Sequence, residues 1–190
     1  ASDVYKRQVD ADSGNIGGSG SQEFQVLAES GEDEIIYSDG SEYAANIEKA
    51  VSELINPPKE ELKEVELVHT PDCPTIESLA KYLDVPLERT VKALTYRDMG
   101  TDEIYLVLIR GDFEVNEVKL KNILNAVEVE MATDEEIEKL GLKKGYIGPY
   151  KLPTKIKIVA DLSVPEISNH IVGSHQKDYH YKNVNYGRDY

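Results

Sequence analysis

Lys92 stands in "RTVKALTY", where strand alternation puts Val91, Ala93 and Thr95 on one face and Lys92, Leu94 and Tyr96 on the other. A lysine among apolar residues has two uses. Its stem can cover apolar surface at a sheet edge, or its ammonium can sit at a pocket and pair a phosphate or a developing oxyanion. In "KKGYIGPYKL", residues 143–152, Gly145 and Gly148 lie three apart and Pro149 fixes the backbone after the second. That pattern makes either a tight turn or a backbone-lined pocket whose N–H groups approach a substrate oxygen. "RGDFEVNEVKL", residues 110–120, reads as strand, turn and a helix starting near Asn116. Arg110, Asp112 and Asn116 then fall on a strand-end loop, where the rim of a site would lie. An adhesive Arg-Gly-Asp loop would need an extracellular setting that nothing in the sequence supports.

Other chemistries are poorly served. His69, His170, His175 and His180 lack metal-ligand spacing, and Cys73 belongs to no Cys/His cluster, so no metal site is expected. A thiol hydrolase pairing Cys73 with His69 is weak, because "TPDCPT" starts no helix at the cysteine. "VDADSGNIGGSGSQEF" lacks the Gly-Lys-Ser/Thr ending of a phosphate-binding loop. One cysteine, no signal-peptide pattern and no run of about 20 apolar residues point to a reducing cytoplasm and no membrane partner. The formal charge, 21 minus 36 or −15, argues against loose nucleic-acid binding, DNA included. A local basic and aromatic patch could still touch a short piece of RNA, and "KDYHYKNVNYGRDY", residues 177–190 with four tyrosines, has that composition.

The elements that must position these residues follow from periodicity. "ASDVYKRQ", residues 1–8, has no apolar period and reads as a non-native leader; the Gly/Ser-rich stretch after it reads as a loop. Phe24–Ala28 and Glu34–Ser38 are strand-like, and "SEYAANIEKAVSEL", residues 41–54, reads as a helix. "NPPKEELKE", residues 56–64, marks a linker. Beyond it, Ile76, Leu79, Ala80 and Leu83 share a helical face, as do Leu120, Ile123, Leu124 and Val127. Residues 90–97 and 103–110 form a hairpin through "DMGTD". "TDEEIEKLG" opens on a capping box, Thr133 to Glu136, and closes on Gly141. "KIKIVAD" is a strand with Asp161 on the opposite face from Ile156 and Ile158. The expected fold is α+β, a mixed and largely antiparallel sheet with surrounding helices.

Taken in order, "VHTPDCPTIESLAKYLDV", "TVKALTY", "RGDFEVNEVKL", "GYIGPYKL", "VADLSV" and "GSHQKDYHYKNVNYGRD" resemble the editing insertion of bacterial-type prolyl-tRNA synthetases, a domain shared with the YbaK/ProX deacylases. Residues 9–55 are similar to a short piece of the class II catalytic domain just before that insertion. The resemblance implies a catalytic-domain segment at 9–55, a linker at 56–64, an editing domain at 65–182 and a return strand at 183–190. It implies an aminoacyl-tRNA deacylase that hydrolyses alanine wrongly esterified to tRNA(Pro), acting on the tRNA's 3′ acceptor end. By the same resemblance Thr70, Ile76, Leu79 and Lys92 shape the alanine pocket, and Lys92, Gly148, Asp161 and His180 carry editing, with Gly145 and Pro149 in the same loop. Arg110, Asp112 and Asn116 remain rim candidates. Editing is expected to need no cofactor; ATP and Mg would serve only a full-length ligase, itself expected to be a homodimer. The class II motifs needed for ligation lie outside this sequence, which is expected not to aminoacylate and to edit weakly alone. The alternative is a non-catalytic module that binds the tRNA acceptor end.

Departures from the family pattern are Gln22, where His is usual, and "GSH", residues 173–175, where "GAN" is common.

Overall fold

The run Ile104–Ile109 has six apolar side chains in a row, which suits a strand covered on both faces. In the computed structural model, which describes residues 6–11, 21–26, 34–51 and 57–190, that run is β7 (Ile104–Arg110) at the centre of a sheet. It pairs antiparallel with β6 (Val91–Asp98) and parallel with β9 (Lys157–Ala160). The short strand β8 (Val129–Met131) completes the order β8-β6-β7-β9. The β6–β7 turn is held by Asp98, whose Oδ1 accepts from Gly100 N at 2.8 Å and whose Oδ2 accepts from Thr101 Oγ1 at 2.9 Å. These bonds favour the carboxylate and hold its pKa low.

A second sheet has the order β10-β11-β5, all antiparallel: β5 (Glu66–His69), β10 (His170–Gly173) and β11 (Tyr179–Val184). The two sheets touch through a parallel bridge between Thr90 and Ile171. The mixed, largely antiparallel character expected from the sequence is therefore present, divided over two sheets. Leu106, Leu108, Val164, Val172 and Val184 lie at the centre of the shared core. Burying each such side chain contributes about 1.5–3 kcal/mol. Helix α1 (Ile76–Leu83) starts with a capping box in which Thr75 Oγ1 accepts from Ser78 N at 3.2 Å and Ser78 Oγ accepts from Thr75 N at 3.1 Å. Its buried residue Leu79 packs with Cys73 and Ile171. Helix α3 (Asp134–Lys139) has the expected Thr133–Glu136 capping box.

These elements belong to one of two compact units, residues 54–115 with 126–190. Residues 57–65 of this unit have no regular structure, yet they are tied down. Asn169 Oδ1 accepts from Lys63 N at 2.9 Å, and its Nδ2 donates to Glu61 O at 2.8 Å. Asn183 Nδ2 donates to Glu64 O at 2.9 Å, and Arg188 Nη1 donates to Lys63 O at 2.8 Å. Residues 183–190, expected as a strand, hold the end of β11 and then a turn.

The other unit holds residues up to Glu53 together with 116–125. Its sheet has the order β2-β1-β4-β3, from β1 (Lys6–Ala11), β2 (Ser21–Val26), β3 (Ile35–Tyr37) and β4 (Ala44–Asn46). Residues 6–8, read as leader, begin β1. The helix expected over 41–54 is not formed at Ala44–Asn46. These three buried residues pair with β3 and touch β1, and one turn follows among the described residues, with Ala50 N donating to Asn46 O at 2.8 Å. Helical composition gives way there to strand pairing. Residues 52–56 of the expected helix and linker, 27–28 of an expected strand and 12–20 of the expected loop lie outside the described residues. Helix α2 (Glu117–Leu124) is N-capped by Asn116, whose Oδ1 accepts from Lys119 N at 3.1 Å.

Candidate functional site

Several chain segments that approach one another in the larger unit enclose a cavity of about 420 Å³. Such a volume suits a small ligand or one end of a larger one. One wall is the start of α1, with Cys73, Ile76 and Leu79; another is β6, from Val91 to Thr95. Lys144, Gly145 and Ile147 come from the glycine-bearing loop, Ile171–Gly173 from β10 and His180 from β11. The lining is mainly apolar, with Lys92 and His180 as its chemically versatile groups.

Alternation on β6 brings the Lys92 side chain to the cavity, where it is only 15 % exposed. Its ammonium donates to Phe113 O at 2.9 Å and pairs with Glu114 at 2.5 Å. Glu114 is 83 % exposed, so this partner is held in solvent. Lys92 also helps to lower the pKa of Glu77, behind the larger effects of hydrogen bonds from Glu77's own backbone and from Thr75.

His180 sits on β11 opposite Val68 of β5. Its Nδ1 lies 2.7 Å from Thr70 Oγ1, and its ring lies 5.7 Å from that of Tyr146. Burial drives its pKa down to about 4, against a smaller opposing pull from Asp178, so the ring is neutral at neutral pH. Asp178 ties the surroundings together. Its backbone carbonyl accepts from Thr70 N at 2.8 Å, and its Oδ1 accepts from Tyr146 Oη at 2.9 Å. Burial and that hydrogen bond raise the Tyr146 pKa, keeping the phenol protonated.

Five of the twelve residues singled out from the sequence line the cavity: Ile76, Leu79, Lys92, Gly145 and His180. Thr70 is absent from the lining and stands behind His180, with no solvent exposure. Gly148 is packed away from it. A Cβ there would come within 2.2 Å of Gly173 O, and a Cβ on Gly173 would come within 2.3 Å of Tyr146 O. This glycine pair lets two backbones touch, and Pro149 follows it in the buried segment. Asp161 is exposed and accepts from Ser163 N at 2.9 Å, closing a local turn just before residues 164–166. Arg110 forms a two-pronged pair with Asp112, at 2.6 and 2.8 Å, and stacks its guanidinium over Phe113 at 4.0 Å. Asn116 caps α2.

Sequence reading passed over Cys73, Lys144 and the Ile171–Gly173 strand as lining residues. The adjacent β-branched pair Ile171 and Val172 in "HIVG" of β10 was the signal for the last. The Cys73 thiol donates weakly to Pro71 O at 3.4 Å, and burial raises its pKa, which leaves it protonated rather than nucleophilic. Among the described residues, no three His, Cys, Asp or Glu side chains gather as a metal would require, and no helix is long and apolar enough to cross a membrane.

Comparison with known proteins gives this geometry a context. The family profile of the aminoacyl-tRNA editing domain matches residues 70–190. The chain is 96 % identical over 184 residues to a proline--tRNA ligase of Fusobacterium nucleatum subsp. nucleatum, covering 97 % of this chain and 32 % of that protein. It is 46 % identical over 190 residues to the proline--tRNA ligase of Bacillus subtilis, covering 98 % of this chain and 33 % of that protein. The chain thus spans about a third of the length of the curated relatives it matches. A solved structure described as a candidate trans-editing enzyme for prolyl tRNA synthetase has the same fold, with a TM-score of 0.56 at 18 % identity over 62 % of this chain and 74 % of that one.

Proposed function

The chain belongs to the aminoacyl-tRNA editing domain family, and on that premise we propose that its cavity hydrolyses alanine from mischarged tRNA(Pro), as the editing part of a proline--tRNA ligase. The observation that carries this reading is the small apolar cavity with a cation on one wall and an imidazole on another. A site that must accept proline rejects the smaller alanine poorly, since one missing methylene is worth about 1–3 kcal/mol. A second, smaller cavity sorts by exclusion instead. Ile76 and Leu79 take the alanine methyl, and the bulkier proline ring meets the same walls.

Lys92 holds a phosphate of the terminal adenosine, exchanging the exposed Glu114 carboxylate for it. The ester carbonyl then lies toward the backbone of Gly145 and Ile147, which take the place expected for Gly148, and toward His180. Water attacks the ester carbon, with the free ribose hydroxyl assisting its deprotonation. The carbon–oxygen bond to ribose breaks, the proton passes to the departing ribose oxygen, and alanine and uncharged tRNA result. ATP, Mg and a homodimer belong to the ligation reaction of a full-length enzyme.

The test is deacylation of alanyl-tRNA(Pro) and prolyl-tRNA(Pro) side by side, with the chain and its Lys92→Ala variant. Hydrolysis of the alanyl ester alone, falling at least about 100-fold in the variant, is expected. Binding of tRNA without hydrolysis of either ester would sink the proposal and leave a binding module.

A further inference from the structure

We infer that Thr70 is a positioning residue that fixes His180 as its Nε2–H tautomer, making the imidazole a hydrogen-bond donor to the bound ester. The inference rests on the function proposed above and concerns the same cavity.

Its ground is a complete account of one hydroxyl. Thr70 has no solvent exposure, and among the described residues its Oγ1 has a single partner, His180 Nδ1 at 2.7 Å. That bond can run in either direction, and the two choices differ in what they leave unpaired. If Nδ1 carried the proton and donated, the Thr70 hydroxyl hydrogen would be sealed in the interior with no acceptor. A buried donor without a partner is strongly disfavoured, because desolvation is not offset by any bond. If the hydroxyl donates to the Nδ1 lone pair, both groups are satisfied and the ring proton must sit on Nε2.

Thr70 is well built for this. Its branched side chain has few rotamers, and its backbone N–H is fixed on Asp178 O at 2.8 Å. The pairing of β5 with β11 brings the two residues together, with Val68 opposite His180 and His69 opposite Tyr179. The far ring nitrogen is differently placed. His180 lines the cavity, and its Nε2 has no hydrogen-bond partner among the described residues. The groups packed around the ring are the Tyr146 phenol and the Asp178 carboxylate, and these are engaged with each other at 2.9 Å.

A neutral ring with its only lone pair committed to Thr70 cannot accept a proton from the attacking water. It can donate from Nε2 to the carbonyl oxygen as negative charge grows there, a contribution made in the transition state. Histidine is thereby removed from the list of bases, and the ribose hydroxyl or the water itself must carry that step.

The experiment combines ¹⁵N–¹H correlation spectra of the histidine rings with kinetics, for the whole chain and its Thr70→Val and Thr70→Ser variants. In the unsubstituted chain, His180 is expected to show a protonated Nε2 and an unprotonated Nδ1. Thr70→Val removes the donor at nearly constant volume. It should mix the tautomers and lower kcat for alanyl-tRNA(Pro) about tenfold, with KM little changed, while Thr70→Ser restores both. A protonated Nδ1 in the unsubstituted chain overturns the assignment, whatever the substrate, and needs no variant to fold. Mixed tautomers in Thr70→Val with undiminished kcat overturn the donor role. A chain that shows the Nε2–H ring yet hydrolyses no aminoacyl-tRNA supports the tautomer and removes the function proposed above.

Discussion

Lys92 reaches the cavity with its charge already answered, by a backbone carbonyl and by Glu114. The two partners differ in kind. Phe113 O aims the ammonium and stays in place, whereas Glu114 is mostly in water and can swing away. A pair with so exposed a partner is worth less than about 1 kcal/mol, so a substrate phosphate can displace it. Glu114→Gln is therefore expected to lower KM for alanyl-tRNA(Pro) about two- to fivefold at low salt with kcat unchanged, the gap closing as salt is raised. Steady-state kinetics at two ionic strengths checks this. A KM that rises would show that Glu114 orients Lys92 and does not compete for it. At this scale alternation left Lys92 on β6 with two uses, and the family resemblance pointed to the cavity that it lines. The role was not legible for Asp161 or Arg110, whose polar side chains make a local hydrogen bond to Ser163 N and a local ion pair with Asp112. Thr70 was singled out for touching substrate, and its hydroxyl lies 2.7 Å from the ring of His180, 110 positions away, a pairing that no local pattern announces.

Among the elements, α1, α3 and the β6–β7 hairpin were readable because each carries its own start and stop: a capping box, a turn with Asp98 and Gly100, a regular apolar period. The 41–54 segment was not, since its strand exists only through β3 and β1. The glycine loop belongs with the unreadable features. Gly145 and Gly148 drew attention by their spacing, yet the residue that explains Gly148 is Gly173, which lies in another strand. Their contact holds the loop that lines one side of the cavity against β10, another side. Gly173→Ala would place a methyl within 2.3 Å of Tyr146 O, backbone that has little room to yield. Urea unfolding should show a loss of about 3 kcal/mol. A loss below about 0.5 kcal/mol would mean the loop moves off freely.

The molecule as a whole carries a charge of −15, yet its sharpest response to acid should come from two buried imidazoles. His170 and His180 each drop from the ordinary 6.5 to about 4, burial being the main cause. His170 has no solvent exposure and is held between Ile167 O at 3.3 Å and the Tyr190 hydroxyl at 3.0 Å. Because both folded values lie below the unfolded one, the unfolded chain binds more protons between pH 6.5 and 4. The contribution of the two rings is therefore complete above pH 6.5 and is lost progressively as pH falls toward 4. The urea midpoint is expected to fall steadily over that window. A midpoint unchanged from pH 7 to pH 4.5 would contradict the neutral burial of both rings.

The stitching of residues 61–64 to Asn169, Asn183 and Arg188 bears on transplanting the unit. Residues 61–64 and 183–188 thus lie side by side, so a graft of the unit would meet its host at neighbouring points there, and would also have to carry or replace residues 116–125, which belong to the other unit. The seam is made largely of side-chain bonds to backbone carbonyls, and both sides of it lie within the unit.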